Sequence, residues 1–318
     1  MTSERHILIS LNPKAGRGSS ARAAERVCDI LASRGFTVEL LTDLDEVQRK
    51  AGVLQEAGQL HALVGIGGDG TAAELTNRTP PGTPITLIPA GTANLIAKEF
   101  RLPRNPAKAA RMIEAGKKIT LDVGLADGRL FLVVLTAGID ADIVAQVHRK
   151  REEMFTHTIG KGGHIGYRSY LKPIFHSIRH YPYPPIRIET VQEETYRPHA
   201  RAVRWAFLFN IPRYGFGAAT TPGCNPQDGK LDFCGFLRRG FAASLLGVFL
   251  AFLGKIHRFF PGYAFDASTR FRLSPLAEGD RIPYQLDGDP AGNLPVEVRV
   301  VPARLTLLVG EKEARRFT

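Results

Sequence analysis

The chain has 318 residues, 44% hydrophobic and 23% charged, which is long enough for two domains with separate cores and too apolar for a disordered chain. Its 42 Lys and Arg exceed its 31 Asp and Glu by 11, a balance that favours anionic partners such as nucleotides or acidic lipid headgroups. Three cysteines, Cys28, Cys224 and Cys234, form neither a disulfide framework nor a metal-finger spacing, and the polar start Met1–His6 is unlike a signal peptide, so a cytoplasmic location is expected.

In chain order, the apolar run His6–Leu11 reads as a strand that meets the turn Asn12-Pro13, with Gly16 and Gly18 close behind. Ser19 and Ser20 cap a helix whose Ala24, Val27, Cys28, Leu31 and Ala32 recur at helical spacing. Phe36–Leu41 is a second strand and Leu44–Ala57 a helix. His61–Ile66 is a third strand running into glycines, Thr71–Asn77 a helix, Pro84–Ile88 a fourth strand and Thr92–Phe100 a helix. Such alternation predicts a mostly parallel sheet covered on both faces.

Beyond Lys118 the pattern changes. Ile119–Val123, Leu130–Thr136, Pro185–Val191, Val203–Ile211, Leu231–Phe236, Ala264–Leu273, Arg281–Leu286, Val296–Val301 and Leu305–Val309 all read as strands. Joined mostly by turns, they predict a second domain rich in antiparallel sheet. Its helices are expected at Asp140–Arg151, Tyr167–His180 and Phe241–Leu253, and a mobile loop over Glu152–Gly166. The apolar stretch Phe241–Gly254, flanked by Arg238-Arg239 and Lys255, is shorter than the roughly 20 residues of a spanning helix. It reads as a core helix, or as a helix lying on a bilayer surface.

The strongest chemical signal is Gly67-Gly68-Asp69-Gly70-Thr71, between a strand and a helix. Glycines admit a phosphate close to the backbone, and a helix start points free N–H groups at it. A carboxylate there repels phosphate, so Asp69 makes sense as a Mg²⁺ site or as the acceptor of a hydroxyl proton. Two more glycine turns, Asn12–Gly18 and Pro89–Asn94, follow the first and fourth strands, and such loops line one rim of a parallel sheet. Lys14 and Arg17 could neutralise phosphate charge there, and Thr92 and Asn94 could donate to it. Neither the Walker spacing nor the dinucleotide fingerprint fits.

Together the segments Asn12–Gly18, Gly67–Asn77 and Pro89–Ala97 resemble the signature blocks of the diacylglycerol kinase catalytic domain family. Asp122-Val123-Gly124, Thr136–Asp140, Asp228–Asp232 and Asp287–Pro290 extend the resemblance along nearly the whole chain. It implies an NAD kinase/diacylglycerol kinase-like α/β domain over 1–122, with 302–318 packing back on it, and a mainly antiparallel β-sandwich over 123–301. It also implies ATP as phosphoryl donor, Mg²⁺ as cofactor and a lipid hydroxyl, diacylglycerol or a related lipid, as acceptor in a cleft between the domains. Asn12, Lys14, Gly16, Thr42, Gly67, Gly68, Asp69, Gly70, Thr71, Ala72, Ala73, Thr92 and Asn94 would surround the nucleotide. A structural Mg²⁺ would sit at Asp228, with backbone oxygens near Asn225 and Lys230. Where the family usually has Glu as proton acceptor, this chain has Asp289, one methylene shorter, with Asp69 and Asp287 as rivals.

The resemblance also implies a lipid substrate met at a membrane surface. Lys161, Arg168, Lys172 and Arg179 could face an anionic inner leaflet, and a homodimer is compatible with the family. Two other readings stay open: a nicotinamide nucleotide kinase, which shares the Gly-Gly-Asp-Gly-Thr turn, and a lipid-binding regulator without catalysis. No aromatic-basic motif supports nucleic acid as a partner.

Overall fold

The computed structural model describes residues 5–11, 19–157, 168–192, 195–198, 202–215, 218–219, 223–237 and 263–317. The chain divides into two compact units, Met1–Asp122 with Pro302–Thr318, and Val123–Val301.

In the first unit β1 (His6–Leu11), β2 (Thr37–Leu41), β3 (Leu60–Gly67) and β4 (Pro84–Pro89) run parallel in the order β2-β1-β3-β4. β4 is buried throughout and β3 nearly so, as strands covered on both faces must be. Between and after them lie α1 (Ser19–Ala32), α2 (Leu44–Glu56), α3 (Asp69–Arg78), α4 (Leu95–Glu99) and α5 (Pro106–Ala115). The apolar stripe of α1, including Ala24, Val27 and Leu31, packs with Ile9, Ile66 and Ile113 in the core.

Two helices differ from expectation. α4 starts at Leu95 rather than Thr92, because Asn94 takes the left-handed conformation, with φ 50°. α5 has no counterpart in the expected elements, although its ends are well marked. Asn105 accepts the Lys108 N–H, Pro106 opens the first turn and Gly116 closes the last at φ 61°.

β5 (Lys118–Ala126) leads into the second unit. There follow β6 (Arg129–Phe131), β7 (Val134–Gly138), α6 (Ile139–His157), α7 (Arg168–His180), β8 (Ile186–Gln192), β9 (Thr195–Pro198) and β10 (Trp205–Phe209). Next come β11 (Arg213–Tyr214), β12 (Ala218–Ala219), β13 (Leu231–Phe236), β14 (Tyr263–Ser268), β15 (Arg270–Pro275), β16 (Pro283–Leu286), β17 (Asp289–Asn293) and β18 (Val296–Leu308). Six of these strands form an antiparallel sheet in the order β14-β13-β10-β7-β16-β17, while β18, β15, β8 and β9 pair antiparallel in a second layer. Leu135, Leu208 and Phe233 of the first layer share one core with Ile188, Phe271 and Val298 of the second. The unit is therefore a β-sandwich, the class implied by the sequence.

The strands depart from the apolar runs at three places. Residues 264–273 are two strands: β14 pairs with β13 in one layer and β15 with β18 and β8 in the other, so the chain changes sheets at Thr269. The run 130–136 breaks into β6 and β7 because Leu132, Val133 and Val134 turn their N–H groups to the Asp287 carboxylate. Conversely, 296–301 and 305–309 belong largely to one long strand, β18. Thr306 and Leu307 of that strand pair parallel with Pro84 and Ile85 of β4 in the first unit, and α8 (Glu311–Arg316) follows.

The expected loop from Glu152 is helical as far as His157, and its remainder lies outside the described residues, as does Phe241–Gly254. Among the described residues no helix is long and apolar enough to cross a membrane.

Candidate functional site

The register of the parallel sheet sets the rim. Leu11 lies opposite Ile66, and Gly67 opposite Pro89, so β1, β3 and β4 end side by side. Thr42 is exposed just past the end of β2, at the same end of the sheet. Asn12, Lys14 and Gly16 fall in 12–18, outside the described residues.

α3 begins at the centre of this rim. Its cap position, Gly68, is extended and supplies no side chain, and the Thr71 and Ala72 N–H groups donate to the Gly68 carbonyl. An uncapped helix start carries unsatisfied N–H groups and the positive end of the helix dipole. At the far end of α3 the Arg304 guanidinium donates to the carbonyls of Thr76 (2.6 Å) and Thr79 (2.5 Å), a cation at the negative end.

The glycines have different duties. A Cβ on Gly67 would lie 2.0 Å from Thr71 Oγ1, and one on Gly91 would lie 2.7 Å from the Gly68 Cα. These residues let the loops fold onto themselves and onto each other. Only Gly70 of the motif has nothing within 4 Å of the missing Cβ, so the expected clearance for a phosphate narrows to that position. Ala72 and Ala73 are buried in the first turns of α3.

Asp69 joins the two loops. Its Oδ2 accepts the Leu95 N–H at 2.9 Å and its Oδ1 the Ile96 N–H at 3.0 Å. Asp69, expected as a metal site or proton acceptor, accepts the first two N–H groups of α4 and so caps that helix. Burial pushes its carboxyl above the usual range, while the Leu95 and Ile96 amides work against that rise. Asn94, expected as a phosphate donor, is folded back: its Oδ1 accepts the Gly91 N–H at 2.9 Å and its Nδ2 donates to the Gly91 carbonyl at 2.6 Å. Thr92 lies half-buried on the same loop.

The second unit carries its own acidic group. β16 and β17 are joined by Asp287-Gly288, both at positive φ (52° and 96°), as a two-residue hairpin turn requires. Asp287 Oδ2 accepts the Leu132 N–H at 2.6 Å, and its Oδ1 accepts those of Val133 and Val134 at 2.9 and 3.0 Å. Expected as a rival base, Asp287 is committed to this bend. Asp289, two residues on, is 42% exposed and sits 3.1 Å from the Arg129 guanidinium.

A neighbouring carboxylate, Asp140, has no place among the expected catalytic residues. Its Oδ2 accepts hydrogen bonds from Thr136 Oγ1 and Tyr214 Oη, each at 2.6 Å. Gln285 Nε2 donates to Thr136 Oγ1 at 2.9 Å, and Gln285 Oε1 accepts the Gly288 N–H at 2.6 Å. The hairpin bearing Asp289 is thereby tied to a carboxylate whose pKa burial raises. The sequence signal is Gly138-Ile139-Asp140, which repeats the spacing of Gly67-Gly68-Asp69, an acid two residues after the glycine that ends a strand. Gly138 has φ 101°, and a Cβ there would meet the Arg204 carbonyl at 2.9 Å.

The expected metal turn is closed by its own hydrogen bonds. Asn225 Oδ1 accepts the Gln227 N–H, the Asn225 carbonyl accepts the Asp228 N–H, and Asp228 Oδ1 accepts the Lys230 N–H. Among the described residues no three His, Cys, Asp or Glu side chains gather into a metal cluster.

A family model of the diacylglycerol kinase catalytic domain matches residues 6–126. The chain is similar to a diacylglycerol kinase of Mycobacterium tuberculosis, 28% identical over 306 residues and covering 93% of both chains. Among solved structures, a diacylglycerol kinase from Bacillus anthracis superposes with a TM-score of 0.66 at 18% identity, covering 98% of this chain and 99% of that one. An NAD kinase from Archaeoglobus fulgidus in complex with ATP does so with a TM-score of 0.53 at 12% identity, covering 98% and 96%. Both structures share the fold, and the region His6–Ala126, which holds the rim, the Asp69 brace and the Gly91 loop, is the part that matches the diacylglycerol kinase catalytic domain model.

Proposed function

We propose that this chain is an ATP-dependent lipid kinase, transferring the γ-phosphoryl group of ATP to the hydroxyl of diacylglycerol or a related lipid met at a membrane surface. The observation that carries the reading is the uncapped start of α3, held against the Gly91 loop by Asp69 in the region that matches the diacylglycerol kinase catalytic domain model. The similarity to a protein named diacylglycerol kinase along 93% of the chain favours a lipid acceptor over a nicotinamide nucleotide.

In this reading the N–H groups of the first turn of α3 hold phosphate oxygens, with Gly70 leaving room above them. Asp69 positions the second loop, through α4, and so fixes where Thr92 meets the nucleotide. Mg²⁺ would supply charge neutralisation to the triphosphate, and such an ion commonly takes one or two carboxylates with phosphate oxygens and water. A separate structural Mg²⁺ would be held at the Asn225–Lys230 turn by the Asp228 oxygen not engaged with the Lys230 N–H and by backbone carbonyl oxygens, donors of the right chemistry for a hard cation. Asp289 accepts the proton of the acceptor hydroxyl, its carboxylate held in orientation by Arg129.

The test is phosphorylation from radiolabelled ATP, with diacylglycerol, a total lipid extract and NAD as separate acceptors. Label in a lipid is expected. Label in NAD alone would assign the nucleotide kinase activity instead, and binding of lipid with no transfer would assign a regulator. Asp289→Ala is expected to lower kcat by about 100-fold or more, the usual range for a lost general base, while Asp289→Glu retains transfer. Full activity in Asp289→Ala would move the base elsewhere.

A further inference from the structure

Between Glu153 and Glu189 the sequence contains no carboxylate, yet it holds five of the Lys and Arg residues: Lys161, Arg168, Lys172, Arg179 and Arg187. A chain with a net charge of 11 over 318 residues would carry only about one net positive charge in a stretch of that length, so the cations are concentrated here. α7 lies inside this stretch and has no acidic residue. At about 100° per residue, Lys172, Phe175, His176, Arg179 and His180 fall within an arc of roughly 140°. All five are exposed.

Phe175 is 61% exposed, the most exposed of the large hydrophobic side chains described. Beside it the His176 and His180 rings stack at 4.6 Å. The opposite side of the helix is fixed to α6: buried Ser177 donates to Asp142 Oδ2 at 2.6 Å and accepts from Gln146 Nε2 at 2.7 Å. The orientation of α7 is therefore set, and the basic, aromatic arc faces outward.

We propose that this face of α7 docks on the surface of an anionic phospholipid bilayer, Phe175 entering the headgroup region and Lys172 and Arg179 lying against lipid phosphates. The charge pattern chooses the occupant. A second copy would bring the same cations against themselves, whereas an anionic surface complements every formal charge on the arc. An aromatic ring amid cations is the composition of an interfacial helix.

Sedimentation of the full chain with phosphatidylcholine vesicles, with and without phosphatidylglycerol, tests this without ATP. Its outcome is therefore independent of the kinase reading. Binding is expected to the anionic vesicles and to weaken with salt. Loss of each cation should lower it about 5-fold, so Lys172→Gln with Arg179→Gln gives about 25-fold. In a Trp205→Phe background, which removes the sole tryptophan, Phe175→Trp should shift its emission to the blue on those vesicles alone. Double-variant binding equal to that of the parent, or unchanged Trp emission on bound vesicles, would overturn the proposal. So would a change of oligomeric state in the double variant with vesicle binding intact, which would make the face a contact between copies.

Discussion

Asp69 and Asp140 show how one local pattern serves two units. Each lies two residues after the glycine that ends a strand, each sits in the first turn of a helix, and burial raises the pKa of each. Their partners differ: backbone amides from a distant loop for Asp69, and hydroxyls of Thr136 and Tyr214 for Asp140. An acid with a raised folded-state pKa binds its proton more tightly folded than unfolded. Its contribution is thus fully present below the ordinary value of 3.8 and is lost as pH rises toward the folded value. Asp140→Asn keeps an acceptor for one hydroxyl and removes this titration. Thermal melts across the acid range should show the parent losing stability relative to Asp140→Asn as pH rises above 3.8, then running parallel to it. Parallel curves throughout would mean that Asp140 has an ordinary pKa. The acids themselves were legible in the sequence as acids two residues after a strand-ending glycine. Their duties were not, because Leu95, Ile96 and Tyr214 come from other segments and no spacing rule links them.

At the scale of elements, α3 is the piece on which the proposed chemistry depends, and its ends are treated oppositely. Its start is left without a side-chain cap, while its last carbonyls receive Arg304 from β18. Replacing Arg304 with Met keeps much of the stem and removes two hydrogen bonds and a favourable charge at the helix end. A loss of about 1–3 kcal/mol is expected in urea unfolding, the usual cost for charged hydrogen bonds of this kind. Exposed Arg299 on the same strand is the control, and Arg299→Met should change stability by less than about 0.5 kcal/mol. Equal effects of the two substitutions would deny Arg304 its capping role. The helix was visible in the sequence from its glycine-rich start, and β3 and β4 from their apolar runs. α5 carries both signals, its caps and an apolar stripe of Ala109, Ala110, Met112 and Ile113, so it was legible too although it is absent from the expected elements. The breaks at Leu132 and at Thr269 have no local signal, since one is caused by Asp287 far along the chain and the other by a change of sheet.

The two units differ in how they use the chain. Val123–Val301 is continuous and has a core drawn wholly from its own residues. The first unit is assembled from both ends of the sequence. Leu308 belongs to its core, Thr306 and Leu307 extend its sheet beside β4, and Thr86 Oγ1 donates to the Leu308 carbonyl at 3.0 Å. α8 adds Arg316 at 3.1 Å from buried Glu99, Glu313 at 3.3 Å from Arg101, and Phe317 at 5.2 Å from Phe100. These contacts grip the segment around α4, the helix that Asp69 caps, so the last residues of the chain support the proposed nucleotide rim. Taking them away would leave β4 as an apolar edge, take Leu308 out of the core and remove the Arg316 and Phe317 contacts of Glu99 and Phe100. A domain of this size has about 5–15 kcal/mol in total, so the loss removes much of its stability. Residues 1–122 expressed alone should therefore lack a cooperative melt by circular dichroism, whereas 123–301 alone should show one. Joining 302–318 to 1–122 through a flexible linker should restore the transition to the first unit. A cooperative melt of 1–122 by itself would mean that β18 and α8 are accessory, and that the rim is held by β1 to β4 and their helices alone.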